Sequence, residues 1–236
     1  MAHVPHPNVA ASTYLYSLRP VMTVADDFLI AAYDLQLPVR PELISLFDKY
    51  FQELKFWNRR VNLTRIHGER EVYINHFLDS LIPERFIPQK ATVLDIGSGG
   101  GFPGIPIKIV RPDLEVTLVD SVFKKVAFQR HLIRILGLDH IQAVHQRAGT
   151  AGEGLGVFTV CISRAFGSLL ELFAAALPVL DRGGQIIALK GPRWIAELEE
   201  ARGEIEKRGI VMKAHESVIL PHTRVHRTVL VFSLRT

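Results

Sequence analysis

The residues best placed to do chemistry lie in two short stretches, Val93-Leu94-Asp95-Ile96-Gly97-Ser98-Gly99-Gly100-Gly101-Phe102-Pro103-Gly104 and Val119-Asp120-Ser121. In the first, an apolar run closes on glycines that let the backbone turn tightly and approach a ligand, and a helix start follows at or near Pro103. Four of the five residues from Gly97 to Gly101 are glycine, more than a plain turn needs. Gly99, Gly101 and Gly104 satisfy the G-x-G-x-x-G spacing associated with dinucleotides. Asp95 argues for a different ligand. Two residues before Gly97, its charge would face a pyrophosphate unfavourably, whereas it suits a molecule carrying an ammonium and a sulfonium. Asp120 ends the second apolar run, where an acid accepts both hydroxyls of a ribose, as either ligand requires. These residues favour S-adenosylmethionine, with a nicotinamide dinucleotide as the remaining alternative.

The elements that must hold these residues are legible from the alternation of the chain. Strand-like runs at Thr92–Ile96, Glu115–Val119, His140–His145, Phe158–Ile162 and Gln185–Leu189 are interleaved with helix-length segments at Pro103–Val110, Ser121–Leu136 and Ser168–Leu180. Alternating strand and helix implies right-handed crossovers and a parallel sheet, hence a doubly wound α/β domain. Val211–Leu220 and Arg227–Leu234 are two more strand-like runs joined only by Pro221–His226, a link short enough to permit antiparallel pairing alone. A parallel Rossmann-like sheet finished by an antiparallel hairpin is the outline of the S-adenosylmethionine-dependent methyltransferase fold. Upstream the period is helical. Leu43, Leu46, Phe47, Tyr50, Leu54 and Trp57 fall on one face of a long helix, with Pro41 where a first turn tolerates it. A further helix is expected from Glu69 to Leu81, and Pro83 and Pro88 mark a boundary. The expected organisation is a loosely ordered leader over 1–23, a helical cap over 24–88 and the methyltransferase domain over 89–236.

Composition narrows the partners. The 236 residues are 48% hydrophobic, enough for one substantial core, and 28 Lys and Arg against 24 Asp and Glu give a net charge of +4. The single cysteine, Cys161, excludes a disulfide framework or Cys-rich zinc module and fits a reducing, cytoplasmic setting; within a strand it is expected to pack in the core. No apolar run approaches the ~20 residues of a membrane span. The first 25 residues lack Asp and Glu, but a lone Arg19 and the prolines 5, 7 and 20 do not make a transit peptide. His222 and His226 lack a third ligand, so no metal is expected. From Lys207 to Thr236 six basic residues face one acid, a basic edge able to meet phosphates. Lys124, Lys125, Arg130 and Arg134 read first as a solvated helix face, Arg59, Arg60 and Arg65 stand near Trp57, and His76 reads first as a capping or buried histidine.

Several motifs together resemble the glucose-inhibited division protein B family: Asp95 through Pro106, Val119-Asp120-Ser121, Ile162-Ser163-Arg164-Ala165-Phe166 and Leu189-Lys190-Gly191. Trp57-Asn58, Asn62-Leu63-Thr64 and His76-Phe77-Leu78-Asp79-Ser80 match its helical N-terminal region, so the resemblance runs from about Pro41 to Thr236. It implies a bacterial enzyme that methylates guanine N7 in 16S rRNA; the expected partner is the RNA or the 30S subunit, and the protein is expected to act as a monomer. It implies too that Gly97 and Phe102 line the cofactor site, that Asp120 and Ser121 hold the ribose, and that Ala148 and Gly149 approach the adenine through their backbone; Gly99 and Asp95 are cofactor candidates from the glycine turn itself. Arg164 would face both the methyl group and the base, with Lys190 a weaker substrate-side candidate. Many members carry an acid near Gly149, where this chain reads Arg147-Ala148-Gly149-Thr150. The chain also lacks the Asn/Asp-Pro-Pro-aromatic tetrad of amino-nitrogen methyltransferases, in keeping with an N7 lone pair that needs alignment rather than a base. A methyltransferase on another RNA or a small molecule, and a non-catalytic rRNA-binding assembly factor, are the alternatives.

Overall fold

The computed structural model describes residues 22–147 and 154–235. Its centre is a seven-stranded sheet in the order β3-β2-β1-β4-β5-β7-β6. The strands are β1 (Thr92–Ile96), β2 (Glu115–Asp120), β3 (Ile141–His145), β4 (Phe158–Arg164), β5 (Leu180–Lys190), β6 (Ile210–Ile219) and β7 (His226–Leu234). The first five pair in parallel, and β7 pairs antiparallel with both β5 and β6. The order reverses between β1 and β4, the switch point where open α/β sheets leave a crevice beyond the carboxyl ends of their strands.

Strand side chains alternate between two apolar layers. Val93, Val160, Ile162, Ile187 and Leu189 join the layer under the N-terminal helices, while Leu94, Cys161, Ile186 and Ala188 join the opposite one. The N-terminal layer is built by α1 (Val24–Asp34), α2 (Ile44–Val61) and α3, a continuous helical run of Glu69–Val72, Tyr73–Leu78 and Asp79–Leu81. Helices α4 (Gly104–Val110) and α5 (Phe123–Leu136) belong to the same layer. Phe28, Phe47 and Phe77 share one cluster with Ile105, Leu118 and Phe128, so the helical segment has no core separate from the sheet. Trp57 packs 5.7 Å from Phe128, fixing α2 on α5.

The opposite layer is formed by α6 (Leu169–Ala176) and α7 (Trp194–Arg208). Ser168 starts α6 through a reciprocal capping box with Glu171. Helix α7 is an addition to the sequence expectation, although Trp194, Leu198, Ala201 and Ile205 are spaced for one helical face and do pack on this layer. Strand β5 begins earlier than its apolar run, at Leu180, because Phe158 pairs there across an irregularity in β4. Cys161 is fully buried as expected, and burial pushes its thiol up to about 12.

Candidate functional site

The glycine turn after β1 is held from several sides. The amides of Gly97 and Ser98 donate to the Val119 carbonyl at 2.9 and 3.0 Å, tying the turn to the end of β2. Tyr50 of α2 donates to the Gly100 carbonyl at 2.6 Å, and Gln129 of α5 donates to the Gly99 carbonyl at 2.8 Å. Asp120 closes the ring, accepting the Gly99 amide on Oδ2 at 2.9 Å and the Val122 amide on Oδ1 at 2.8 Å. Gly97 has φ +73°, and a Cβ there would lie 2.6 Å from the Phe166 ring. Only glycine fits both the dihedral and the space.

Asp120, Gly97, Ser121, Lys125 and Phe166 line a cavity of about 400 Å³ over the ends of β1, β2 and β4. Each Asp120 oxygen uses one acceptor site on the backbone and keeps another for a hydroxyl. Asp95 lies deeper than expected. It is fully buried, does not line the cavity, and accepts the Gly104 amide on Oδ2 at 2.8 Å, while Oδ1 is buried without a hydrogen-bond partner. Burial raises its pKa to about 7, against the lowering effect of the Gly104 amide. The free acceptor sites of Asp120 at the cavity wall fit a ligand that brings a ribose. Ala148 and Gly149 lie outside the described residues.

A second cavity, of about 370 Å³, adjoins the first and is lined by Asn75, His76, Asp79, Arg164, Ala165 and Arg227 among others. Ala165 belongs to both cavities and has φ +56°, a conformation that costs a residue with a Cβ roughly 1–2 kcal/mol. Arg164 leaves the end of β4 and reaches α3, where it donates to Asp79 Oδ2 at 3.1 Å and to the Asn75 carbonyl at 3.2 Å. Arg227, at the start of β7, holds the same fully buried carboxylate at 2.6 and 3.0 Å. Two guanidiniums on one carboxylate leave this cavity cationic. Burial presses the Arg164 pKa down, and the Asp79 charge offsets that.

His76 accepts from Arg164 on Nδ1 at 3.1 Å, because a guanidinium only donates. Its proton therefore sits on Nε2, which is 2.6 Å from Thr64 Oγ1. Burial, then the Arg164 charge, holds the His76 pKa down near 3, so the ring is neutral at physiological pH. Phe102 is buried and does not line the first cavity: its ring stacks on Tyr50 and His76 at 5.3 and 4.6 Å, with the Arg164 guanidinium 4.7 Å from its centre. It supports Arg164 from beneath. Lys190 lines neither cavity; it donates to the Gly167 carbonyl at 2.9 Å and pairs with Glu197 at 2.7 Å, fastening the loop after β4.

The chain matches known proteins in the same direction. The family model for rRNA small subunit methyltransferase G (GidB) matches residues 43–225. The ribosomal RNA small subunit methyltransferase G of Geobacter sp. (strain M21) is 42% identical over 191 residues, covering 80% of this chain and 87% of that protein. The chain belongs to this family. A second member, from Staphylococcus haemolyticus (strain JCSC1435), is 40% identical over 193 residues, covering 80% of each chain. A crystal structure of a ribosomal protein L11 methylase from Lactobacillus delbrueckii subsp. bulgaricus shares the fold, with TM-score 0.53 and 16% identity over 72% of this chain and 81% of that one.

Within this family member the site draws on residues to which the sequence alone assigns no part. Asp79 stands in a motif with no role attached, and Arg227 counts only as one member of a basic edge; the structure turns Arg227 inward, 19% exposed, and pairs it with Asp79. The sequence does carry a signal for α3, since His76 and Asp79 are three apart and so share one helix face. The six residues Tyr73–Leu78 are π-helical, a local widening found often at functional sites. Of the α5 cations, Lys125 lines the first cavity, while Arg130 donates to the Ala143 carbonyl at 2.8 Å. Among the described residues no cluster of three or more His, Cys, Asp or Glu is arranged to hold a metal, and no helix is long and apolar enough to cross a membrane.

Proposed function

We propose that this protein transfers a methyl group from S-adenosylmethionine to N7 of a guanine in 16S rRNA, with the Asp120 cavity taking the cofactor and the Arg164 cavity the base. The observation that carries this reading is the wall the two cavities share at Ala165, which sets the Asp120 pocket and the cationic Arg164 pocket back to back at the switch point of the sheet. The cofactor supplies an electrophilic methyl group on a sulfonium. Asp120 holds the ribose hydroxyls, and Asp95, buried behind the glycine turn, holds the start of the following helix through the Gly104 amide. Arg164, clamped by Asp79, Asn75 and His76, offers donors of fixed direction. Guanine shows N7 beside the O6 acceptor, so a guanidinium at O6 orients the base and leaves N7 available.

No proton has to leave N7, and the second cavity provides no ready acceptor for one. Its carboxylate, Asp79, is taken by two arginines, and both nitrogens of His76 are engaged. The contribution of these residues is alignment, which can supply much of the ~7–11 kcal/mol available from positioning. The substrate is 16S rRNA, alone or within the 30S subunit, met in the cytoplasm by a monomer.

The test is to incubate the protein with methyl-labelled S-adenosylmethionine and 16S rRNA, free or in 30S subunits, from a strain deleted for it. Borohydride and aniline then cleave the RNA at N7-methylguanine. Label together with scission at one guanine is the expected result; label without scission would place the methyl on another atom.

A further inference from the structure

We propose that a pocket beside the Arg164 cavity, under the turn formed by residues 62–68, is a second RNA subsite that holds an unpaired base next to the target guanine. The inference rests on the rRNA reading above and deepens it. The pocket measures about 220 Å³. Phe51, Leu54 and Val72 form a buried apolar floor, suited to the flat face of a nucleobase. Lys55 and Arg59 stand at the rim, both exposed; Lys55 Nζ lies 5.9 Å from the centre of the Phe51 ring, and the described residues offer neither an ion-pair partner. No carboxylate lines the pocket. An apolar floor with cations at its mouth complements a base and its phosphate.

Placement supplies the second argument. Ile66 lines this pocket and also the Arg164 cavity, so the two are neighbours across one side chain. The turn that carries Ile66 is braced before any ligand arrives. Asn58 donates to the Thr64 carbonyl at 2.8 Å and accepts its amide at 2.9 Å. Thr64 Oγ1 accepts the Ile66 amide at 3.0 Å and meets His76, which in turn holds Arg164. A base seated in the pocket would therefore press on the turn that orients the guanidinium at the target base. A strand laid over Ile66 would place adjacent nucleotides in the two cavities.

The experiment measures methylation of a short RNA hairpin whose loop carries the target guanine, with an abasic residue placed at each neighbouring loop position in turn. Wild-type protein is compared with Val72→Phe, which fills the pocket, and with Lys55→Ala/Arg59→Ala at the exposed rim. One abasic position should raise the wild-type KM about tenfold, the effect of removing one stacked base. Val72→Phe should raise KM for intact RNA to a similar degree and be indifferent to that same abasic position. The rim variant should flatten the dependence of log KM on log salt by about 1.4, or ~0.7 for each single-strand phosphate that is no longer neutralised. If Val72→Phe fails to fold, as unfolding curves would show, the rim variant decides alone. An abasic penalty that adds in full to the variants, or an unchanged salt slope, overturns the subsite. Failure of wild-type protein to methylate the free RNA or the 30S subunit would instead defeat the rRNA reading itself.

Discussion

Asp79 shows how much one side chain is asked to hold. It is fully buried, and Arg164 and Arg227 reach it from strands on either side of β5. Removing one partner of a buried pair leaves the other charge uncompensated, at about 3–5 kcal/mol. Asp79→Ala should lose about that much in urea unfolding and most of its activity, while Asp79→Asn, which keeps an acceptor, should lose less. Asp120→Ala should weaken S-adenosylmethionine binding by about 1.5–3 kcal/mol in calorimetry, the range for a charged hydrogen-bonding partner. Two buried groups give opposite pH signatures. His76 is held near 3 against 6.5 when unfolded, so its contribution to stability is full above pH 6.5 and fades as pH falls toward 3. Asp95 is raised from 3.8 to about 7, so its contribution is full below pH 3.8 and is lost as pH rises through 7. Thermal melts across this span should show His76→Gln removing the loss of stability as pH falls from 6.5 toward 3, and Asp95→Asn removing the loss as pH rises from 3.8 to 7. Identical profiles for wild type and both variants would remove these groups from the account.

At the scale of elements, the glycine turn works because its neighbours leave no room. A Cβ on Gly104 would sit 2.4 Å from the Leu118 side chain and 2.8 Å from Asp95 Oδ2. Gly104→Ala should therefore push α4 away from β1 and β2, cost about 1–3 kcal/mol as an overpacked core does, and weaken cofactor binding with it. Chemical unfolding and calorimetry on the same sample would check both effects. Tyr50→Phe is a milder probe of the same turn. It keeps the ring on Phe102 but strips the buried Gly100 carbonyl of its donor, and should cost about 1–3 kcal/mol. Cofactor affinity should fall in that variant only as far as the turn loosens.

For the whole molecule, the helical segment and the sheet behave as one body because they share one apolar layer. Phe77 and Leu78 of α3 pack in the same cluster as Val93 and Ile105, and the same helix delivers His76 and Asp79 to the Arg164 cavity. On that packing we expect the boundary near Pro88 to separate two stretches of sequence rather than two folding units. A fragment of residues 89–236 should expose that layer, lack a cooperative thermal transition and bind cofactor poorly. The intact chain should show coincident transitions by Trp fluorescence and far-ultraviolet circular dichroism. A fragment that melts cooperatively with native cofactor affinity would make the cap dispensable.

The parts of this protein that its sequence determined are those governed by neighbours along the chain. The strand–glycine–helix run around Asp95 is legible because tight turns and strand ends depend on local backbone freedom, and Asp120 follows by the same rule one strand later. Alternation implies the parallel order, and the short Pro221–His226 link implies the antiparallel end, both found in the sheet. The Arg164 cavity is not readable in this way. Its central contact joins Asp79 to Arg227, 148 residues apart, and Arg164 finds His76 across 88. Such pairs carry no periodicity, and nothing in a row of basic residues tells which one will turn inward. Packing decided it: once α3 lies on the sheet, a buried carboxylate must find cations, and Arg164 and Arg227 are the ones within reach.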